Sequence, residues 1–347
     1  MALLSAATVV VVGLAACRPV PPGSTLRGLA DARDGRVVGT SVEPAQFDRT
    51  ADADLIAAQF SSVTPENAMK WVSVHPGPST WDFAAADRIV EFAEAHGQRV
   101  RGHTLVWHRQ NPAWLTGGTF TRDELIAVLH DHIATLVGRY RGRIAQWDVV
   151  NEAIADDGTL RDNLWLRGIG PDYIRLAFEF AHEADPDAAL FINDYLIERG
   201  GAKAATLLWI VASLRSAGVP IDGVGYQTHA LVPALMPTPE QFADEMRRFA
   251  SRGLLVEITE MDVALHLPSD PAIDPQRQAD AYGSSVMACL AVRECTGITV
   301  WNYSDAESWI PGEFPGFGEA SIFDAALAPK PAFERMRQIL WWDLRAR

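Results

Sequence analysis

Eight short runs rich in β-branched residues, each followed by a stretch of helical periodicity, are the tightest constraint on how this chain can fold. They are Val37–Thr40, Ser61–Thr64, Val100–Val106, Ala145–Val150, Ala189–Ile192, Gly223–Gln227, Leu255–Thr259 and Ile298–Trp301. Strands that alternate with helices pair in parallel, because each helix carries the chain back along the sheet. Eight such units in about 310 residues fit a closed (β/α)8 barrel. A doubly wound open sheet is the competing arrangement, but no glycine-rich phosphate turn follows the first run.

The intervening segments carry helix punctuation. Ala84–His96 places Ile89, Phe92 and Ala93 on one face and is followed by Gly97, a normal helix stop. Thr121 with Glu124 three residues on forms a capping box ahead of the apolar positions Leu125, Val128, Leu129 and His132. Pro239 opens a helix that runs to Ala250, ahead of Gly253. The 347 residues are 48% hydrophobic and 21% charged with no internal linker, so residues 34–347 are expected to form one domain.

The N-terminus reads differently. Residues Ala2–Ala16 are apolar or small, too short for a membrane span, and Ala15-Ala-Cys17 closes them with small residues. Residues 1–17 therefore read as a secretory leader. Its Leu14-Ala-Ala-Cys17 ending resembles the lipobox of bacterial lipoproteins, in which the cysteine is acylated. The expectation is an exported protein, held on the outer face of the membrane by lipid on Cys17 or freely secreted. Residues 18–33, with Arg18-Pro-Val-Pro-Pro-Gly-Ser-Thr25, read as a tether. In an oxidising compartment Cys289 and Cys295 are expected to form a local disulfide, worth roughly 2 kcal/mol because the loop is small. No Cys-x-x-Cys or His-Glu-x-x-His spacing occurs, so neither a metal site nor a cofactor is expected.

A formal charge of −14 argues against nucleic acid or an anionic bilayer as partner, since both are bound through Lys and Arg. A neutral substrate and a monomeric protein are the expectation. The eleven Trp point the same way, because flat amphipathic rings pack well on the C–H faces of sugars.

In a parallel barrel the active site lies at the carboxyl ends of the strands. There the sequence delivers polar and aromatic residues nearly every time: Glu66, Asn67, Lys70 and Trp71 after the second strand, His103, Trp107, His108 and Gln110 with the third. Asn151 and Glu152 follow from the fourth, Asn193, Asp194 and Tyr195 from the fifth, and Gln227 and His229 from the sixth. Glu260 and Asp262 end the seventh, and Trp301, Asp305 and Trp309 the eighth. Each alone has an ordinary explanation as a cap, a core residue or a solvated acid. Burying so many polar groups at one mouth is costly unless they serve a ligand. Glu152 and Glu260, each a carboxylate at the end of an apolar run, are what glycosidic bond cleavage needs.

The segments Thr64-Pro-Glu-Asn-Ala-Met-Lys-Trp71, Arg101-Gly-His-Thr-Leu-Val-Trp-His108, Trp147-Asp-Val-Val-Asn-Glu-Ala153, Gly225-Tyr-Gln-Thr-His229, Ile258-Thr-Glu-Met-Asp262 and Lys330-Pro-Ala-Phe333 resemble glycoside hydrolase family 10, the endo-β-1,4-xylanases. The match runs in the family's order from about Val37 to Trp342. It implies xylan and xylo-oligosaccharides as substrates and a retaining mechanism, with Glu152 as acid/base and Glu260 as nucleophile. It also implies that Glu66, Asn67, Lys70, His103, Trp107, Gln110, Gln227 and Trp301 line the glycone subsites, with Trp309 covering them and Tyr195 on the aglycone side.

Chemical reasoning reaches compatible roles. His229, backed by Asp262, is placed to keep Glu260 ionised and aimed. Glu152, flanked by Val149, Val150 and Ala153, is placed to carry the proton, and Asn151 to bond the substrate 2-hydroxyl. His108 is expected to bond a backbone carbonyl and stays outside the catalytic set. Four departures from the family pattern stand out: Ala68, Tyr226 and Thr228 around Gln227, Arg109, and Asn302-Tyr303. Such changes near a sugar pocket alter discrimination by one to a few kcal/mol. Two rival functions are a broader β-1,4-glycanase and a non-hydrolytic glycan-binding lipoprotein, which would gain nothing from a pre-aimed nucleophile. A hydride-transfer or aldolase barrel fits poorly, because Lys70 lacks a partner that suggests a Schiff base.

Overall fold

The computed structural model describes residues 20–32, 35–232 and 236–346. The leader and Cys17 lie outside the described residues. Eight parallel strands form the barrel: β1 (Val37–Val42), β2 (Ser62–Pro65), β3 (Arg99–Val106), β4 (Gln146–Asn151), β5 (Ala189–Asp194), β6 (Gly223–Tyr226), β7 (Leu255–His266) and β8 (Cys295–Val300). Each pairs with the next, and β8 pairs with β1, so the sheet closes without an edge.

The helices between the strands start and stop where local chemistry dictates. Thr121 and Glu124 form the reciprocal cap of helix Arg122–Arg139, and Thr238 does the same with Gln241 ahead of Pro239–Ala250. Helix Ala84–Ala95 ends before Gly97 at φ +60° and buries Ile89 and Ala93, while Phe92 stacks on Phe47 with centroids 4.0 Å apart. His132, in line with the apolar face of its helix, is fully buried and stacks on Trp71 at 3.5 Å. Its burial, with His75 alongside, pulls it well below the usual histidine range.

Three features differ from expectation. The stretch taken as a tether contains helix Leu26–Asp31, whose Leu26, Leu29 and Ala30 are buried in the main core, so the packed body starts before residue 34. Strand β7 continues seven residues past Thr259, because the segment to His266 pairs with the short strands His229–Leu231 and Phe317–Gly318. Those partners are distant in sequence and leave no local periodicity to read. The chain also turns sharply after β6, with Thr228 at φ +63°, which sets His229 beside Asp262 in the register of the new pairing. The expected disulfide is present: Cys289 and Cys295 are bonded, with Cα atoms 5.4 Å apart, ahead of β8.

The barrel interior is partly charged. Strands β4 and β7 are not neighbours in the sheet, yet Gln146 Nε2 donates to both oxygens of Glu257 at 3.0 Å, so the contact crosses the interior. Arg101 lies 3.2 Å from Glu257 and forks onto Asp148, with all three side chains 1% exposed. Burial alone would push Asp148 up, but Arg101 and His103 hold it below the usual aspartate value. Outside, Gly102 leaves the space that the Trp147 ring fills. Arg101→Met strands two buried carboxylates. We expect it to lower unfolding free energy in urea by roughly 3–5 kcal/mol; a loss below about 1 kcal/mol would mean that water or relaxation replaces the arginine.

Candidate active site

Register places the polar strand ends against each other. Asn151 ends β4 opposite Asn193 of β5. Asn193 Nδ2 donates to Asn151 Oδ1 at 2.8 Å and to Glu260 Oε1 at 2.6 Å, while Thr259 Oγ1 donates to Asn193 Oδ1 at 2.7 Å. Gly225 permits this, because a Cβ there would collide with the Asn193 amide and Thr259. Gln227 Nε2 donates to Asn151 Oδ1 at 3.1 Å and Glu152 Oε1 at 3.2 Å. An unbroken relay of amides thus joins Glu152 to Glu260. Glu152 itself sits at φ +56°, rare for a side chain with a Cβ, with its N–H donating to Asn193 C=O at 2.8 Å.

The two acids have different surroundings. Glu260 is 5% exposed, and His229 Nε2 lies 3.3 Å from its Oε2. His229 Nδ1 in turn lies 3.0 Å from Asp262 Oδ2, and Trp309 Nε1 donates to the same oxygen at 2.8 Å. His103 Nδ1 is 2.9 Å from Asp148 Oδ2 and 3.9 Å from Glu260 Oε1. Burial alone would raise Glu260, but the charge of His103 and the hydrogen bond from His229 outweigh it and hold the carboxyl below the usual glutamate value. Burial alone would lower His229; Asp262 and Glu260 reverse this and lift it to about 10. Glu152 faces the cleft, with His108 Nδ1 3.6 Å from its Oε2.

A second cluster comes from β2, β3 and β8. Asn67 Nδ2 donates to Glu43 at 2.7 Å, Lys70 Nζ and Gln110 Nε2 each donate to Asn67 Oδ1 at 3.2 Å, and Lys70 lies 4.8 Å over the Trp107 ring. Burial pulls Lys70 down against the attraction of Glu260 and Glu66. Glu66 accepts from Asn302 Nδ2 at 2.6 Å, and its burial pushes it up to about 7 despite that bond. Trp301 meets the His103 ring edge-on at 5.4 Å. On another wall, Tyr195 Oη donates to Asp156 Oδ1 at 2.7 Å, with Lys203 Nζ 3.3 Å from its ring centre.

Every expected substrate-binding residue lines one cleft of about 1090 Å³, together with Asn151, Glu152, His229 and Glu260. Asp262 stands behind His229, fully buried. His108 also lines the cleft, and its Nδ1 has no hydrogen-bond partner among the described residues, so the expected backbone contact is not made. Of the departures, Tyr226 is buried edge-on to Phe242 at 5.3 Å, and Tyr303 is buried and bonded to Asp52. Arg109 does reach the cleft, 3.7 Å from Glu313. Asp148, which no sequence signal picked out, holds His103 in place, while Asn193 and Asn302, noted only as a strand-end residue and a departure from the family pattern, hold Glu260 and Glu66, because their partners lie on other strands.

A closed parallel barrel carrying two hydrogen-bonded carboxylates and aromatic walls at its carboxyl end defines a glycoside hydrolase by class. Residues 26–339 match the family described as Glycosyl hydrolase family 10, and the chain belongs to it. Endo-1,4-beta-xylanase B of Thermotoga neapolitana is 42% identical over 289 residues, 83% of each chain. Endo-1,4-beta-xylanase A of Phanerodontia chrysosporium is 38% identical over 311 residues, 89% of this chain and 75% of that one. Among solved structures, native xylanase 10B from Thermotoga maritima superposes with a TM-score of 0.90 at 38% identity, covering 93% of this chain and all (100%) of that one. Xylanase 10B from Thermotoga petrophila RKU-1 in complex with xylobiose gives 0.90 and 38%, covering 93% and 98%.

The charge of His229 has a consequence for stability. Its pKa of about 10 in the fold exceeds the ordinary value of 6.5, so its contacts contribute fully below about pH 6.5 and are lost as pH rises through 10. The stability gap between the wild type and His229→Gln should therefore be on the order of a few kcal/mol at pH 6 and narrow steadily toward pH 10. An NMR titration that placed the His229 midpoint near 6.5 would contradict this.

Proposed function

We propose that this chain hydrolyses internal β-1,4-xylosidic bonds of xylan by a retaining double displacement. The observation that carries the reading is the amide relay between Glu152 and Glu260, with imidazole contacts concentrated on the second. Glu260, held ionised, attacks the anomeric carbon while Glu152 gives its proton to the departing glycosidic oxygen. A xylosyl ester on Glu260 results. Glu152 then takes a proton from water, the water attacks the same carbon, and Glu260 is released. His229, charged between Asp262 and Glu260, keeps the nucleophile aimed through both steps.

In this reading Asn151 binds the 2-hydroxyl, supported by its hydrogen bonding: its Oδ1 is occupied by Asn193 and Gln227, while Nδ2 has only a long contact of 3.4 Å to Glu152. The cluster of Glu66, Asn67, Lys70 and Gln110 supplies glycone donors and acceptors, and Tyr195 an aglycone platform. Trp301 and Trp309 form a wall that suits xylose, which lacks the hydroxymethyl arm of glucose. The naming of the relatives as endo-1,4-beta-xylanases, and the xylobiose held by the Thermotoga petrophila enzyme, support this substrate class. The apolar segment Ala2–Ala16 and the Cys289–Cys295 bond support export, either anchored by lipid on Cys17 or freely secreted. No helix among the described residues is long and apolar enough to cross a membrane. The chain is read as working alone, as a monomer.

Glu260→Ala should reduce sugar release from xylan by at least roughly a thousandfold. Unchanged release would leave only a glycan-binding protein. Glu152→Ala should lose about 10²- to 10⁴-fold on xylan while retaining kcat/KM on aryl xylobiosides whose leaving groups need no proton. Equal loss on both would contradict its role. Hydrolysis of xylan should also far outpace that of carboxymethylcellulose; comparable rates would mark a general β-1,4-glycanase.

A further inference from the structure

Arg161 has no part in the scheme above, yet its guanidinium is packed against the backbone that carries Glu152. Residues 153–161 leave β4 and return as a small hairpin. Ile154 and Leu160 form an antiparallel bridge, and Ala155 N–H donates to Thr159 C=O at 2.8 Å. Asp157 fixes the turn, its Oδ1 accepting from Thr159 N–H at 2.9 Å and Thr159 Oγ1 at 2.7 Å, with Gly158 at φ +87° completing it.

The return limb brings Arg161 back beside the end of β4, where its N–H donates to Ala153 C=O at 2.8 Å. The side chain, 18% exposed, then spans the segment: Nε donates to Glu152 C=O at 2.9 Å, and Nη2 to Ile154 C=O at 2.9 Å and Tyr195 Oη at 2.8 Å. Glu152 sits in a left-handed conformation that persists only where its surroundings over-determine it. On one side its N–H is tied to Asn193 of β5. On the other, its carbonyl is tied only through Arg161 among the hydrogen bonds described.

We propose that Arg161 is a positioning residue for proton transfer: it locks the main chain of Glu152 and the ring of Tyr195 into one unit, so that the carboxyl stays registered on the leaving oxygen. This rests on Glu152 being the acid. A planar fork is required, because one rigid group must donate in several directions at once; a lysine ammonium on a flexible stem reproduces the charge but not the geometry. Misplacing a catalytic group by about 1 Å can cost on the order of a hundredfold. A merely structural arginine would instead affect all substrates alike.

The experiment compares phenyl and 2,4-dinitrophenyl β-xylobiosides, which place similar rings on the aglycone side but differ in their need for a proton. Arg161→Met and Arg161→Lys are measured by kcat/KM, which reports the first bond cleavage, with Glu152→Ala alongside. Arg161→Met should lose about a hundredfold on the phenyl glycoside and less than about fivefold on the dinitrophenyl one. Arg161→Lys, the safer variant for folding, should show the same pattern to a smaller degree. Equal losses on the two glycosides, or no loss on either, with Glu152→Ala still discriminating between them, would overturn the role of Arg161 alone. If Glu152→Ala itself failed to discriminate, the assignment of the acid would fall with it.

Discussion

The carboxylate of Glu260 is nearly removed from water at the centre of a barrel mouth, and a lone charge there is not sustainable. Much of the site answers that requirement. His103 lies beside one carboxylate oxygen and His229 beside the other, Asn193 donates from β5, and the three are themselves held by further groups, Asp148, Asp262 and Thr259 respectively. The chain of buried partners extends from Asp148 to Arg101 and on to Glu257 in the barrel interior. Stability and chemistry are therefore coupled, because the groups that make the buried charge tolerable are also those that aim it.

Closing the barrel makes this arrangement possible. Neighbouring strand ends present Asn151, Asn193 and Gln227 within hydrogen-bonding reach of each other, and β7 carries Glu260 to the same place. Two sharp backbone turns, at Glu152 and Thr228, then redirect side chains that a continuing strand would have sent elsewhere. The first points an acid into the cleft. The second starts the short strand that sets His229 beside Asp262.

The strand ends were legible because their polar residues interrupt apolar runs, and helix starts such as Thr121 were legible because a cap is a local interaction. What local pattern could not disclose was pairing at a distance. The extension of β7 depends on Phe317–Gly318 and His229–Leu231, and helix Leu26–Asp31 is held by burial against the distant core behind a Pro-rich stretch that resembles a tether. Asn193 and Asn302 look like ordinary polar ends until their partners, Glu260 and Glu66, are seen beside them. Tyr226 illustrates the converse, since it departs from the family beside Gln227 but alternates to the outer face and packs on Phe242.

Trapping the covalent intermediate tests the central claim most directly. A 2-fluoro β-xylobioside with a dinitrophenyl leaving group slows the second displacement, so intact mass and peptide mapping can locate the sugar. The account predicts one fluoroxylobiosyl group per chain, on the peptide that contains Glu260. A label on Glu152, or complete turnover with inverted product and no adduct, would contradict it.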